Sequence, residues 1–472
     1  MTAAVAAPPA DAPLPPDWRL RPAPGLRMVG DGTVLMGGAP LRVLKVTAAG
    51  AAMVARWWDG EPIGEGTAGR RLARRLLDAG LAEPEPGQGP SLDELTVVIP
   101  VQDRPDELRR CLVAIDRRCR VVVVDDGSRD RAEIATIATA AGAASIRLAP
   151  ARGPAAARNA GMRSATTPFV AFVDSDCVVG PGFPGRLLAH LADPALAIAA
   201  PRIVALAHAG DGWLTRYEAD HSTLDMGPRE GLVAPGTAIP YTPSAALVVR
   251  VAALGDGFDD ALHVGEDVDL LWRLHAAGWQ VRYEPAVTVA HEHRVRFRPW
   301  FARRITYNMS NATLVRRHPG RVPALSISRR SAAFWAALAA GSPLAAGLVT
   351  AVSTVILRRT LRRHVPAAGP TAARLVAQSH LHEGRHLART LSGPWLPLLL
   401  ATTALRPRLA RRLWLGVAAG AIAEWADARH EPTPLHYALP RTADDLARCI
   451  GVWRGCWHER SARALLPQLR RR

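Results

Sequence analysis

The chain has 472 residues, 49% of them hydrophobic, and a formal net charge of +17. Its length exceeds one ordinary core and calls for about two or three units, while five cysteines with no CxxC pair exclude a disulfide framework and a zinc knuckle and fit a reducing cytoplasm. The positive balance invites nucleic acid, anionic lipid or a phosphate-rich substrate, although Lys45 is the sole lysine, so part of the arginine excess is compositional.

Residues 1–17 (MTAAVAAPPADAPLPPD) carry no basic start and no apolar run. They are expected to be a disordered Ala/Pro leader, not a secretory signal. Residues 18–88 follow as a small module. Strand-like pieces at 33–36 and 41–46 precede a helix at 48–58 and a second at 69–79, which Gly80 stops. This order, closed by an apolar turn, describes a winged-helix-like unit. The stretch EPEPGQGPS ends it as a linker.

Between 94 and 325 the pattern changes. Residues 95–101 (LTVVIPV) form a continuous apolar run, as in a strand buried on both faces. A helix at 105–116, a strand at 121–124 and a helix at 131–141 follow. A strand at 145–148, a helix at 154–164 and a strand at 169–173 come next. Such alternation predicts an α/β fold with a Rossmann-like, mostly parallel sheet. Ligands of such sheets lie at the carboxyl ends of the strands, so the residues just after each strand are the candidates for chemistry.

The last region, 326–472, is expected to be mostly helical and apolar. Residues 331–357 contain no charged side chain; Arg329 and Arg330 precede them, and Arg358, Arg359, Arg362 and Arg363 follow. A run of that length is able to cross a hydrocarbon core of roughly 30 Å, and its basic ends suit a cytoplasmic membrane face. Two further apolar stretches, 393–405 and 413–423, are too short to span alone. The chain is therefore expected at the cytoplasmic face of a membrane or in the cytoplasm. The competing expectation is a soluble bundle of Ala-rich helices.

Strand 121–124 ends in Asp125-Asp126-Gly127-Ser128, and strand 169–173 in Asp174-Ser175-Asp176. Neighbouring carboxylates repel unless a cation joins them. The Asp174/Asp176 spacing suits a hard divalent cation, Mg2+ or Mn2+, shared with a diphosphate. Alone, either motif is equally an ordinary capped turn. Arg152-Gly153-Pro154 opens a helix that carries Arg158, and a helix N-terminus with arginines suits a phosphate. Glu266 and Asp267 start another helix, where the dipole favours acids and a carboxylate can serve as general base. His291 and His293 close a β-rich run; either completes a metal site or is simply structural.

In this order and spacing, VVIPVQDRPDEL, VVVVDDGS, RGPAAARNAG, FVDSD and GEDVDLLWR resemble the motifs of the family 2 glycosyltransferases with the GT-A fold. The resemblance implies inverting, metal-dependent transfer of a sugar from a nucleotide-sugar donor. It implies base and ribose contacts for Pro100, Gln102, Arg104, Asp125 and Asp126. Further donor contacts fall to Gly153, Arg158, Asp174, Trp272 and Arg273. It places the metal on Asp174, Asp176 and His291, with His293 the rival, and the base on Asp267 with Glu266 in support. No Q-x-x-R-W motif occurs, which argues against processive polysaccharide synthesis.

Residues 217–250, with LDMGPREGLVAPG and IPYTPSAALVVRV, resemble the glycosyltransferases of mycofactocin maturation. Residues 18–88 are similar to PqqD-like peptide-binding domains. Both imply a peptide-derived acceptor, the precursor of a redox cofactor, receiving glucose from UDP-glucose in β-linkage. The alternative acceptor is a polyprenyl phosphate or a cell-envelope glycan. A nucleic-acid partner is not expected, because the basic helix GRRLARRLLDAG has no cluster of base-reading Asn and Gln beside it.

Overall fold

Residues 7–9, 12–206, 212–362, 365, 367–428 and 433–470 are described by the computed structural model. The chain divides into two units, Met1–Ala209 with His221–His293, and Gly210–Asp220 with Arg294–Arg472.

The first unit opens with β1 (Arg19–Pro22), β2 (Arg27–Val29), β3 (Val34–Gly37) and β4 (Arg42–Lys45). Then come α1 (Ala48–Trp58), α2 (Thr67–Asp78) and β5 (Ala82–Glu85). Strands β2, β3 and β4 form an antiparallel sheet, and β1 pairs with β5. The Thr47 side chain accepts from the Gly50 amide and starts α1. Val54 and Trp57 of α1 meet Ala73, Leu76 and Leu77 of α2 in one apolar cluster. Leu14 lies fully buried in the same cluster, and its carbonyl accepts from Arg70 Nε at 2.7 Å. The end of the expected disordered leader is therefore anchored. The reason is that Leu14 is a large apolar side chain between prolines, and burying it is worth about 2 kcal/mol. Residues 1–6, 10 and 11 of that leader lie outside the described residues.

Next come β6 (Leu95–Val101), α3 (Pro105–Ala114), β7 (Arg120–Asp126), α4 (Arg131–Ala140) and β8 (Ala144–Leu148). They are followed by α5 (Pro154–Ser164), β9 (Phe169–Val173), β10 (Cys177–Val179), α6 (Gly185–His190) and β11 (Leu196–Ala205). After α7 (Trp213–His221), the chain adds β12 (Gly231–Leu232), β13 (Ala246–Arg250), α8 (Val251–Leu254), α9 (Glu266–Ala276) and β14 (Gln280–His291).

The central sheet runs β10-β14-β11-β13-β9-β6-β7-β8, with β12 on β14. It is parallel across β9, β6, β7 and β8, where the motifs lie. Beyond β9 it is mixed, since β13 runs antiparallel to both β9 and β11. Every residue of β6 and β9 is buried, as continuous apolar runs require. From β6 the chain moves to β7 and β8 on one side and then to β9 on the other. That reversal leaves a crevice at the carboxyl ends of β6, β7 and β9.

The second unit comprises most of α7, then α10 (Phe297–Arg317), β15 (Leu325–Ser328), α11 (Arg329–Ala340) and α12 (Pro343–Leu361). It continues with α13 (Ala368–Ser392), α14 (Leu396–Leu405), α15 (Pro407–Asp427), α16 (Pro434–His458) and β16 (Pro467–Arg470), which pairs with β15. The expected boundary at 325 moves back to 293, because α10 belongs with this unit. Ala312 and Val315 of α10 pack with Val452 and Cys456 of α16. Gly451 and Gly455 permit that approach: a Cβ on either would stand 2.5 Å and 2.4 Å from the backbone oxygens of Ile305 and Met309.

The uncharged run 331–357 is not one helix. Gly341 adopts the left-handed region, φ 83°, and ends α11. The Ser342 side chain then accepts from the Ala345 amide, and Pro343 occupies the first turn of α12. Gly-Ser-Pro thus reads as stop, cap and start. Helix α12 has 19 residues and a mean hydropathy of 1.4, and among the described residues it is the one helix long and apolar enough to cross a membrane. The stretch 393–405 becomes α14, and 413–423 lies inside α15. Arg363 lies outside the described residues.

The Leu14 anchor makes a prediction. Leu14→Ala is expected to destabilise the N-terminal module by roughly 2–5 kcal/mol, seen as a lowered midpoint in a guanidinium titration. An unchanged midpoint would place Leu14 outside the core.

Candidate active site

Three loops meet at the carboxyl ends of β6, β7 and β9. Pro100 is buried in β6, Gln102 is exposed just after it, and Arg104 precedes α3. The Asp103 amide donates to Ser128 Oγ at 3.0 Å, and Asp103 Oδ1 accepts from the Arg129 amide at 2.8 Å. These bonds tie the loop after β6 to the loop after β7.

Asp125 and Asp126 are both buried. Asp125 Oδ1 accepts from the Ser128 amide at 2.8 Å, closing an Asx-type turn, and its carboxylate pairs with Arg147. Asp126 accepts from the amides of Arg152 and Gly153 at 2.7 and 2.8 Å. The N-terminus of α5, which the sequence offers to a phosphate, is therefore filled by a protein carboxylate. The amide dipoles there favour an anion, and Asp126 is the nearest one. As it stands, Gly153 N is engaged inside the protein.

Arg158 is the hub of the site. Its side chain is only 3% exposed, on a face of α5 that packs against the sheet. One guanidinium nitrogen donates to Asp174 Oδ1 at 2.6 Å, the other to Glu266 Oε1 at 3.0 Å. The guanidinium also lies 5.4 Å from the Phe258 ring centroid. Burial works against its charge, yet Asp174 and Glu266 outweigh that and hold its pKa above the usual value. Burial pushes Asp174 up; Arg158 pulls it back in part, and Asp176 adds to the rise. Burial, with the charge of Asp267 beside it, pushes Glu266 up to about 7 against the pull of Arg158.

Asp267 is half-buried in the first turn of α9. Oδ1 accepts from the Val268 amide at 2.8 Å and Oδ2 from the Ser244 amide at 3.2 Å. Burial raises its pKa although both amides favour the ionised form.

The other half of the DSD motif faces a second set of partners. Asp176 pairs with Arg104, and its Oδ1 stands 3.5 Å from His291 Nε2. The sheet dictates this: β10 and β14 pair in the register Cys177 to His291, which sets the imidazole beside residue 176. His293 lies beside His291 with its ring tilted by 50°, its Nδ1 3.4 Å from His291 Nδ1. Between the two histidines, His291 faces Asp176. The donor set of two carboxylates and an imidazole is chemically suited to a hard divalent cation. As arranged, arginines hold both carboxylates, and no group of three His, Cys, Asp or Glu among the described residues closes into a metal-binding cluster.

Trp272 and Arg273 stand apart from this gathering. Trp272 is buried and donates to the Pro240 carbonyl at 2.9 Å. Arg273 bridges Asp269 and the Gly257 carbonyl at 2.8 and 2.7 Å. Both follow Asp267 on α9, and helical geometry turns them onto other faces.

Sequence reasoning passed over four residues that shape the site. Arg147 neutralises Asp125 from the end of β8. Asn159, buried beside Arg158, exchanges two bonds with the Phe258 backbone and donates to Asp260 at 2.7 Å. Asp260 also binds Arg152 at 2.9 Å, and Ser244 supplies the amide to Asp267. Asn159 sat in the motif RGPAAARNAG and was legible there; the others carried no signal beyond residue type.

The model of the glycosyl transferase family 2 domain matches residues 96–255. The chain is also 39% identical, over 94% of its length and 96% of the relative's, to a pre-mycofactocin glycosyltransferase of Mycobacterium tuberculosis. The chain therefore belongs to the family 2 glycosyltransferases, and its fold is GT-A. A second protein of that organism, described as an uncharacterised glycosyltransferase, is 33% identical over 40% of this chain and 82% of its own length. Among solved structures, a mannosyltransferase from Pyrobaculum calidifontis in complex with GDP-Man and Mn2+ aligns at 18% identity and a TM-score of 0.36, over 81% of this chain and 97% of its own.

Removing the hub should be costly. Arg158→Met leaves a buried carboxylate, Glu266, and a half-buried one, Asp174, without their shared cation and is expected to destabilise the first unit by roughly 3–5 kcal/mol, read by denaturant unfolding. Arg158→Lys should recover only part of this, because a single ammonium nitrogen replaces the two separate guanidinium nitrogens that meet Glu266 and Asp174.

Proposed function

We propose that this glycosyltransferase moves a sugar from a nucleoside diphosphate sugar to a peptide-derived acceptor, in the biosynthesis of mycofactocin. The reading for the acceptor is supported by the full-length similarity to the pre-mycofactocin enzyme. The observation that carries the chemistry is the meeting of Asp174 and Glu266 on Arg158, with Asp267 and the Asp176–His291 pair alongside.

The donor lies across the strand ends, with Gln102, Arg104 and the 125–128 turn on its nucleotide side. Asp174, Asp176 and His291 would hold a divalent cation, Mg2+ or Mn2+, whose charge would stabilise the departing diphosphate. Arg104 and Arg158, now on those carboxylates, keep the acidic pocket near neutrality. Asp267 accepts the proton of the acceptor hydroxyl as that oxygen attacks the anomeric carbon. One displacement from the opposite face inverts the configuration, so a UDP-glucose donor would yield a β-glucoside. Glu266 stays bound to Arg158 and fixes the first turn of α9 that carries Asp267. Arg158 thereby ties the donor end of the site to the base.

Four measurements test this reading. Asp267→Asn should lower kcat by about 10²–10⁴-fold while the protein stays folded; wild-type turnover in that variant would remove Asp267 as the base. Because burial raises the Asp267 carboxyl and a base must be ionised to work, wild-type kcat should climb with pH through that raised pKa and level off above it. Treatment with a chelator should abolish transfer, Mn2+ or Mg2+ should restore it, and Asp176→Ala should weaken the restoration. Mass spectrometry of the peptide-derived product, after incubation with a panel of nucleotide sugars, identifies donor and acceptor. Transfer to a polyprenyl phosphate and not to the peptide-derived molecule would favour the cell-envelope reading.

A further inference from the structure

The second unit carries a surface that includes none of the residues assigned above to sugar transfer. Between Ser331 and Ala423 the sequence holds eleven arginines and one acidic residue, Glu383. That one acid is buried and is held by Ser328 and Arg470. The exposed charge of α12, α14 and the first half of α15 is therefore of one sign.

The same helices expose large apolar side chains. Leu344 at the start of α12 is 88% exposed, and Leu405 at the end of α14 is 77% exposed. Leu348 on α12, Leu398 and Leu400 on α14, and Leu415 on α15 are each more than half exposed. On α12 the exposed positions 344, 348, 352 and 355 recur at helical spacing, so one face runs apolar until Arg358, Arg359 and Arg362.

Two contacts bring these elements to one place. Arg412 of α15 donates to the Ala339 carbonyl at 3.0 Å, which sets the start of α15 beside the α11–α12 turn and Leu344. Trp414 donates to Thr403 at 3.0 Å and closes α14 onto α15. Arg406 between α14 and α15, and Arg408, Arg411 and Arg412 in the first turns of α15, are all exposed. Leucines ringed by arginines, with no acid among them, match the boundary between acyl chains and anionic headgroups.

The neighbouring helix limits how deep this face can go. α12 packs along α13, with Leu361, Ala368 and Ala372 buried near their join. α13 turns Arg374, Gln378, His382 and Arg385 to solvent. Immersing the bundle would bury these polar groups in hydrocarbon. We propose that the start of α12 and the α14–α15 hairpin dock on an anionic lipid surface, entering one leaflet without crossing the bilayer. The uncharged run that by length alone could span is instead one wall of this platform.

The test uses the full chain with vesicles of phosphatidylcholine alone or mixed with phosphatidylglycerol. The chain should sediment with the anionic vesicles, less so as salt rises, and alkaline carbonate should release it. The pair Arg408→Gln and Arg411→Gln should lower partitioning by about thirtyfold, from about 1 kcal/mol per arginine. Leu405→Asp should lower it while leaving the charge ring in place. Both variants should keep their helix content and their sugar transfer in solution. Equal binding to neutral and anionic vesicles, no binding, or retention after carbonate would overturn the proposal. So would a vesicle-independent dimer that the same substitutions dissolve, since the face would then be a contact between copies of this chain.

Discussion

The buried guanidinium of Arg158 holds carboxylates from two distant parts of the sequence, Asp174 after β9 and Glu266 at the start of α9. Neither carboxylate would tolerate its half-buried or buried position alone, because desolvation disfavours the ionised form. Joined through one planar fork, they become a fixed pair. The arrangement has two consequences. It ties α9 to α5, and it fixes the spacing between Asp174 after β9 and the first turn of α9 that carries Asp267.

Around this hub the site is built by mutual neutralisation. Asp125 meets Arg147, Asp126 meets the amides at the start of α5, and Asp176 meets Arg104. An acidic crevice is therefore kept compact by arginines and amides that already form part of the fold. In the proposed reading, a phosphate-bearing donor would meet cations that are already paired, and exchanging one anion for another on Arg104 would change little in net charge. The same economy explains why the formal +17 of the chain is no guide to the site. Much of the excess lies in the second unit, on helices whose exposed faces also carry leucine.

Much of the first unit was legible in order. The run LTVVIPV is a strand buried on both faces, and its limits, residues 95–101, coincide with β6. The helix at 154–164 and the strand at 169–173 likewise coincide with α5 and β9. Strong periodicity and Pro or Gly punctuation fix such ends locally. The errors arose where one residue answers to distant partners. Leu14 was read as leader because its neighbours are Ala and Pro, yet a core elsewhere in the module accepts it. Residues 331–357 were read as one run because hydropathy does not register Gly341-Ser342-Pro343 as a stop and restart. The family resemblance puts Trp272 and Arg273 among the donor contacts, whereas their bonds to Pro240, Asp269 and Gly257 turn them to other faces of α9.

By itself the sequence determined the family, the alternation of strand and helix, and the short list of acids at strand ends, because these follow from local pattern and from motif order. The tertiary structure decided which of those acids share a partner. Only folding brings Arg158 between residues 174 and 266, and only the register of β10 on β14 sets His291 rather than His293 beside Asp176. Side-chain direction is the physical reason. A sequence gives residue type and spacing, whereas a contact between residues more than a hundred positions apart depends on which face of each element the packed core leaves toward the crevice.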